Sequence, residues 1–210
     1  MIRDAIKYIA EVIISEKNHL TNLDTKIGDG DHGLNMARGA EAVIEAVDEL
    51  DDDSLDISTA MKTVGQSFLM NVGGASGPLY GTGFMEASKV LSKDSKLETK
   101  TIIEALEAAI AGIKRRGYAE KGDKTMLDTL IPIKTTLELS LSEGKNLGES
   151  LETAIAAAKE GVEYTKTIAA KRGRASYIGE RSIGYEDPGA VSSFIIFRSF
   201  YQYLKDNRIV

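Results

Sequence analysis

Apolar residues recur along the chain at the three- and four-residue spacing of an α-helix, in eight separate stretches. The stretches between them show no strand-like alternation. Because most connections are short, consecutive helices are predicted to be antiparallel. The pattern therefore predicts an all-α fold of about eight amphipathic helices. Their apolar stripes lie at Ile2–Ile13, Ala40–Leu50, Met61–Phe68, Phe84–Leu91, Ile103–Ile113, Leu130–Leu141, Leu151–Val162 and Phe194–Leu204.

Capping signals predict where some of these helices begin. The last helix has Asp187 as its N-cap and Pro188 at its first position, the residue types that favour a helix start. Thr101 and Glu104 have the spacing of a capping box and predict the start of the fifth helix. Pro132 predicts a kink or a late start in the sixth, because proline lacks the backbone N–H.

Composition bounds the class of protein. A chain of 210 residues with 42% apolar and 28% charged residues is predicted to form one domain, residues 1–210. A net charge of −6 argues against nucleic-acid binding, and no apolar run approaches the roughly 18 residues of a membrane span. The absence of cysteine excludes disulfides and a thiol nucleophile, and it fits a cytoplasmic protein. Asp4 and Glu11 interrupt the N-terminal apolar pattern, which predicts a first helix over about residues 1–20 rather than a signal peptide.

The glycines are concentrated in a few places. Sixteen of the twenty lie in four windows, at residues 28–39, 73–83, 112–122 and 173–189. The stretches between these windows are nearly free of glycine, which is typical of long regular elements joined by special loops.

The first window contains a glycine motif that fits neither of two common sites. Gly28, Gly30 and Gly33 spell G-x-G-x-x-G, but no strand precedes them and the intervening aspartates would repel a pyrophosphate. An EF-hand calcium loop also fails, because Leu34 and Ala40 stand where its glycine and final glutamate are needed.

Asp24, Asp29 and Asp31 place three carboxylates within eight residues of this window. A hard divalent cation would offset their repulsion, and the lack of cysteine favours Mg²⁺ over zinc. Because Mg²⁺ commonly takes phosphate oxygens as further ligands, the cluster predicts a metal-bridged nucleotide in a loop ahead of His32 and Asn35. The alternative is that these aspartates only form turns and helix caps.

Two other windows suit the same chemistry. Residues 72–83 offer small side chains and free backbone N–H groups just before a helix, although a tight interhelical turn would look the same. Residues 171–181 carry a local charge of +3 and are either a phosphate-binding loop or a solvated one. Metal, phosphate and arginine loops together predict phosphoryl transfer, and the chain offers no good Ser-His-Asp set.

Four motifs occur in the order found in one family: LDTKIGDGDHGLNM, VGGASGPLYGT, RGYAEKGDKTMLD and KRGRASYIGERSIGYEDPGA. On these motifs the chain, from about residue 20 to 193, resembles the nucleotide-binding L subunits of dihydroxyacetone kinases. The resemblance implies a closed up-and-down barrel of eight antiparallel helices with the nucleotide at one end.

The resemblance also implies a set of site residues. Two Mg²⁺ ions would be held by Asp24, Asp29 and Asp31. Arg174 is the predicted catalytic residue, which would neutralise the phosphate in transfer, and the role of Arg181 stays open. Contacts to ADP or ATP are expected at His32, Gly33, Leu34, Asn35, Ala75, Ser76, Gly117, Met126, Arg174, Asp187, Pro188 and Gly189.

Because the chain starts at Met1 with this domain, it resembles the multisubunit, phosphoenolpyruvate-dependent type. That type implies a retained ADP coenzyme, a phosphohistidine subunit that recharges it, and a K subunit that holds dihydroxyacetone. The γ-phosphoryl group would pass to that substrate. His32 stands where related fatty-acid kinases typically have threonine, which favours the dihydroxyacetone branch.

Two alternatives remain open on the same residues. One is a nucleotide-dependent protein that senses phosphorylation state without turnover. The other is a related kinase domain that uses exchangeable ATP on another small molecule or a fatty acid.

Overall fold

The computed structural model describes residues 1–51, 55–92 and 95–210. Within these ranges the chain forms nine α-helices and one 3-10 segment, without a β-strand. The helices are α1 Ile2–Ser15, α2 Lys17–Ile27, α3 His32–Asp48, α4 Ile57–Asn71, α5 Ser76–Val90, α6 Thr99–Gly117, α7 Leu127–Ser142, α8 Leu147–Thr165 and α9 Pro188–Asp206, and the 3-10 segment is Arg174–Ser182.

Eight of the helices form a closed ring. Helix α1 packs on α3, each helix from α3 to α9 packs on the next one along the chain, and α9 packs back on α1. This arrangement confirms the predicted all-α barrel of eight antiparallel helices. None of the described helices combines the length and the hydropathy that a bilayer span requires.

Helix α2 is an addition that the sequence pattern did not predict. The expected first helix is broken at Glu16, and α2 continues beyond it to Ile27. The buried residues of α2 are Leu20, Asp24 and Ile27. Because the middle one is an aspartate, the sequence shows no continuous apolar stripe here. Helix α2 packs on α3, on α9 and on the 3-10 segment, so it lies at one end of the ring.

The interior is apolar and reaches up to the ends of the helices. One cluster of buried residues connects α1, α3, α4 and α5 with the first turns of α7 and α9. A second cluster is formed by residues of the four helices α6, α7, α8 and α9. Met126, Leu127, Ala190 and Val191 belong to the first cluster, so the chain segments that open α7 and α9 rest on rigid packing.

Connections of the ring alternate between its two ends. The α2–α3, α4–α5, α6–α7 and α8–α9 connections therefore share one end, and each of them falls in one of the four glycine windows. The chain termini lie at the other end, where the Tyr203 hydroxyl donates to the Met1 carbonyl at 3.3 Å. Val210 packs there against Gly148 at the start of α8.

One predicted helix start was wrong, and the late start considered for another helix does not occur. Helix α6 begins at Thr99 with Glu98 as its N-cap, so Thr101 and Glu104 lie inside the helix and form no capping box. Helix α7 begins at Leu127, ahead of Pro132, so the proline does not delay its start, and the alternative of a kink stays a prediction. Pro132 is the sixth residue of α7, so it lacks the N–H that would bond to the Asp128 carbonyl in the first turn.

That first turn of α7 is in close contact with α8. A Cβ at Gly161 of α8 would lie 2.1 Å from the carbonyl oxygen of Asp128 and 3.2 Å from the Cα of Thr129. Because these are backbone atoms of a helix, no change of side-chain rotamer can relieve the clash. Glycine at 161 is therefore required for the two helices to approach each other.

Replacing Gly161 with alanine is expected to destabilise the protein by about 3 kcal/mol, the upper part of the range for overpacking. Gly148→Ala is the matched control on the same helix, since its Cβ would meet neighbours at 3.4 Å or more. That control is expected to be neutral or to stabilise by up to about 1 kcal/mol, because alanine favours helix. Urea unfolding of both variants measures the difference, and equal midpoints would contradict the packing argument.

Candidate functional site

Three carboxylates meet at the end of the ring that carries the glycine windows. Asp24 lies on the last turn of α2 and is buried, whereas Asp29 and Asp31 are exposed in the loop before α3. One oxygen from each lies within 4.8 Å of the others. Opposite ligands around Mg²⁺ are about 4.2 Å apart, so small side-chain movements would bring this all-oxygen set into bonding distance of that ion. Asp24 is on a helix rather than in the predicted loop.

The backbone of the loop holds the Asp24 carboxylate in place. Its Oδ2 accepts hydrogen bonds from the N–H groups of Asp31 at 2.9 Å and His32 at 3.1 Å. Its Oδ1 lies beside Gly28, where a Cβ would be 2.0 Å away. Gly30 has a φ of +74°, which favours glycine. The first two glycines of the motif therefore let the loop fold around a carboxylate.

The basic segment before α9 folds back onto the acidic loops. Arg174 is the first residue of the 3-10 segment, and its Nε donates to Asp29 Oδ2 at 2.9 Å. Lys171 and Arg172 pair with Asp123 of the α6–α7 connection at 3.3 and 3.5 Å. The segment is thus joined to two other site loops by ion pairs.

A buried hydrogen-bond chain connects α3, α5 and α9. His32 Nδ1 lies 3.0 Å from Ser76 Oγ and its Nε2 lies 2.9 Å from Ser192 Oγ. The Tyr80 hydroxyl in turn bonds to Ser192 at 2.7 Å and Ser193 at 2.8 Å. Burial lowers the pKa of His32 to about 4 and raises the pKa of Tyr80 to about 12. Both groups are therefore neutral at physiological pH.

The α6–α7 connection meets the start of α9. A Cβ at Gly189 would lie 3.6 Å from the Met126 nitrogen. Asp187 caps α9 by accepting from the Ala190 N–H at 2.7 Å, as its sequence position predicted. Its own N–H donates to Thr165 Oγ1 at 3.0 Å, which joins it to the end of α8.

The charges of other residues at this end of the ring act on the Asp187 carboxyl. Burial raises the pKa of the Asp187 carboxyl to about 7. The Ala190 N–H and the Lys124 ammonium act in the opposite direction, and the charges of Asp128 and Asp24 raise it further. The carboxylates of three helices therefore share one electrostatic environment.

Residues 26–202 of the chain match the family described as the DAK2 domain. The chain belongs to the DAK2 domain family. It is 41% identical over 182 residues to the ADP-binding subunit of the PEP-dependent dihydroxyacetone kinase of Escherichia coli, covering 87% of this chain and 86% of that protein. It is 39% identical over 192 residues to the ADP-binding subunit of PEP-dependent dihydroxyacetone kinase 1 of Listeria innocua, covering 91% of this chain and 90% of that protein.

A solved structure has the same fold as this DAK2 domain. The dihydroxyacetone kinase of C. freundii, in complex with AMP-PNP and Mg²⁺, matches it with a TM-score of 0.75 at 26% identity. The match covers 96% of this chain and 33% of the C. freundii chain, so the DAK2 domain spans about a third of that kinase.

The structure of the DAK2 domain brings most of the predicted site residues together in pairs. Asp29 meets Arg174, His32 meets Ser76, and Met126 meets Gly189, as described above. Asn35 is buried, and a Cβ at Gly73 would lie 3.2 Å from its Oδ1. The remaining predicted residues lie on the same helix ends: Gly33 and Leu34 on the first turn of α3, Ala75 at the N-cap of α5, Gly117 at the end of α6 and Pro188 at the start of α9.

Sequence reasoning missed several polar residues of this end. Lys124 and Asp128 are buried beside Asp187, and Tyr80 and Ser192 lie behind His32. The only sequence signal for Lys124 and Asp128 was that the lysine lies between Asp123 and Asp128, in a segment that contains Gly122. Nothing in the local sequence distinguishes Ser192 from the serines around it.

Two titratable groups of the site have opposite effects on stability in the same pH range. His32 has a folded pKa of about 4, below its usual 6.5, so the unfolded chain takes up its proton first. The contribution of neutral His32 to the free energy of unfolding is fully present above pH 6.5 and is lost as the pH falls toward 4. Asp187 has a raised folded pKa of about 7, so its penalty is absent near pH 4 and grows as the pH rises to 7.

We expect the wild-type protein to show a shallow pH dependence between pH 5.0 and 6.5, because these two effects oppose each other. Relative to wild type, His32→Asn should lose stability as the pH rises across this range, and Asp187→Asn should lose it as the pH falls. Over the full titration the change is worth up to about 3 kcal/mol for His32 and up to about 4 kcal/mol for Asp187. Urea unfolding without metal, repeated at each pH, measures both slopes. Slopes of the same sign in the two variants would contradict the assignment.

Proposed function

We propose that this DAK2 domain is the nucleotide-binding subunit of a dihydroxyacetone kinase and transfers the γ-phosphoryl group to dihydroxyacetone held by a K subunit. The observation that carries the proposal is the convergence of three carboxylates and Arg174 with the predicted nucleotide contacts at one end of the ring. Its similarity to subunits named as ADP-binding supports the choice of nucleotide.

The residues divide into three roles under this proposal. Asp24, Asp29 and Asp31 hold Mg²⁺, for which we propose two ions. Ser76 and Gly189 lie in the first turns of α5 and α9, and helix N-termini favour phosphate groups. When bound, Mg²⁺ neutralises the phosphates and bridges them.

Arg174 neutralises the negative charge that develops on the phosphoryl group during transfer. The dihydroxyacetone hydroxyl oxygen forms a bond to the γ-phosphorus while the bond to the oxygen of the leaving ADP breaks. The hydroxyl proton goes to a base of the K subunit. Arginine's planar, delocalised charge suits the phosphoryl oxygens in this step. Its pairing with Asp29 keeps Arg174 beside the metal carboxylates.

We also propose that the ADP is retained as a coenzyme. A phosphohistidine subunit transfers its phosphoryl group from the ring nitrogen to the β-phosphate of ADP, which regenerates ATP in the site. The similarity to ADP-binding subunits of PEP-dependent kinases, over 86% and 90% of their length, supports this proposal.

A reconstituted assay tests the function. The purified protein is combined with Mg²⁺, ADP, dihydroxyacetone, a K subunit and a phosphohistidine donor, and dihydroxyacetone phosphate is measured. Product should require every component. If the complete mixture yields none while the protein binds Mg·ADP, a sensing role is supported instead.

Mass spectrometry of the extensively dialysed protein tests the coenzyme. Retained ADP, released only on denaturation, supports the proposal. An empty site, together with turnover on added ATP without a phosphohistidine donor, would support a kinase domain that exchanges its nucleotide.

A further inference from the structure

A lysine is buried at the end of the ring that carries the proposed site. Lys124 is 1% exposed, although it lies in the connection between α6 and α7. Its φ is +61°, a left-handed conformation that is strained for a non-glycine residue. Such a conformation persists only where the surrounding contacts hold it.

The ammonium joins two segments that are distant in sequence. Its Nζ donates hydrogen bonds to the carbonyl of Thr165, the last residue of α8, and to the carbonyl of Tyr185. The C-terminus of a helix carries partial negative charge, which favours a cation there. Lys124 therefore ties the end of α8 to the chain two residues before Asp187.

The loop that carries Lys124 is itself fixed by carboxylates. Asp128, fully buried, accepts from the N–H groups of Gly122 and Thr125, the latter at 2.8 Å. Asp123 accepts from the Glu120 N–H at 3.0 Å. These bonds direct the Lys124 side chain inward while the next residues continue to Met126.

We propose that Lys124 is a positioning residue of the nucleotide site, whose ammonium holds the Asp187–Gly189 segment against Met126. The inference rests on the proposed function, since Met126, Asp187 and Gly189 are predicted nucleotide contacts. Thr165 supports the same geometry, because its carbonyl accepts from Lys124 and its hydroxyl accepts from the Asp187 N–H.

The charge of Lys124 separates this role from a merely structural one. Burial lowers the pKa of the Lys124 ammonium, and the neighbouring charges of Asp187 and Asp128 act in the opposite direction. Removing the cation makes the field at this end of the ring more negative, and Asp24 belongs to the same group of charges, since it acts on Asp187. A metal ion alone should then bind equally well or more tightly, whereas a nucleotide that needs the displaced segment should bind more weakly.

The test compares Lys124→Met with wild type in two titrations by calorimetry, Mn²⁺ alone and Mg·ADP. Methionine keeps the apolar stem and removes the ammonium. We expect Mg·ADP affinity to fall roughly 10- to 100-fold, the usual effect of losing a group that orients ligating residues. We expect Mn²⁺ affinity to stay equal or rise. Lys134→Met, which removes a lysine paired with Glu138 on α7, is the control and should change neither.

Two results would overturn the proposal: Mg·ADP affinity within twofold of wild type, or an equal loss of affinity for Mn²⁺ and Mg·ADP. If Lys124→Met does not fold, Lys124→Gln takes its place, because it removes the positive charge and keeps a polar side chain at the buried position. The same two results then decide. A wild-type protein that binds no Mg·ADP overturns both this inference and the proposed function, whereas normal wild-type binding with an unaffected variant overturns this inference alone.

Discussion

Asp31→Ala is expected to reduce Mg·ADP affinity by at least about 100-fold while leaving the helices intact. Asp31 supplies one of the three carboxylate oxygens that lie within 4.8 Å of one another, and Mg²⁺ depends on few protein carboxylates. The residue is exposed and its side chain makes no capping hydrogen bond to α3, so its loss should alter stability by less than about 0.5 kcal/mol. Calorimetry measures the affinity and circular dichroism measures the helical content.

Asp48→Ala is the matched control for this prediction. It removes an exposed aspartate from the other end of the same helix, where Asp48 pairs with Lys7 at 2.7 Å. Nucleotide affinity should be unchanged in this variant. An Asp31→Ala protein that binds Mg·ADP as tightly as the control would rule out the metal site.

Arg174→Gln is expected to lower the rate of phosphoryl transfer about 1,000-fold, the lower end of the effect of an arginine that neutralises transferring phosphate. Mg·ADP affinity should fall much less, by under about tenfold, because the guanidinium acts mainly on charge that develops during transfer. Mn²⁺ alone should bind equally or more tightly, since the variant frees Asp29 from its ion pair. The reconstituted assay measures the rate and calorimetry measures both affinities.

Arg172→Gln provides the comparison, because Arg172 lies two residues away and pairs with Asp123 instead. Its rate should stay within a few-fold of wild type. Equal rates in the two variants would show that the basic segment acts through its overall charge and that Arg174 has no individual role.

The barrel was predictable because its helices bury apolar residues at regular spacing. Eight stripes gave the eight helices of the ring, and Asp187 with Pro188 marked the start of α9 correctly. Helix α2 was missed because one of its buried positions is Asp24, a residue that a periodicity of apolar side chains does not count. The start of α6 was wrong because a capping-box spacing also occurs by chance inside a helix.

The candidate site was predictable where a motif is contiguous in sequence. Asp24, Asp29 and Asp31 lie within eight residues, and the structure brings their carboxylates together. Lys124 could not be found in that way, because its partners are carbonyl groups 41 and 61 residues away. The identity of a residue says nothing about whether its backbone will accept a hydrogen bond from a distant side chain.

The placement of the chain termini has a practical consequence for experiments. Met1 and Val210 lie at the opposite end of the ring from the loops of the proposed site. An affinity tag, a fluorophore or a surface tether added at either terminus would leave those loops accessible. Surface-immobilised protein should therefore keep its ligand affinity, which makes single-molecule measurement of partner binding feasible without redesigning the chain.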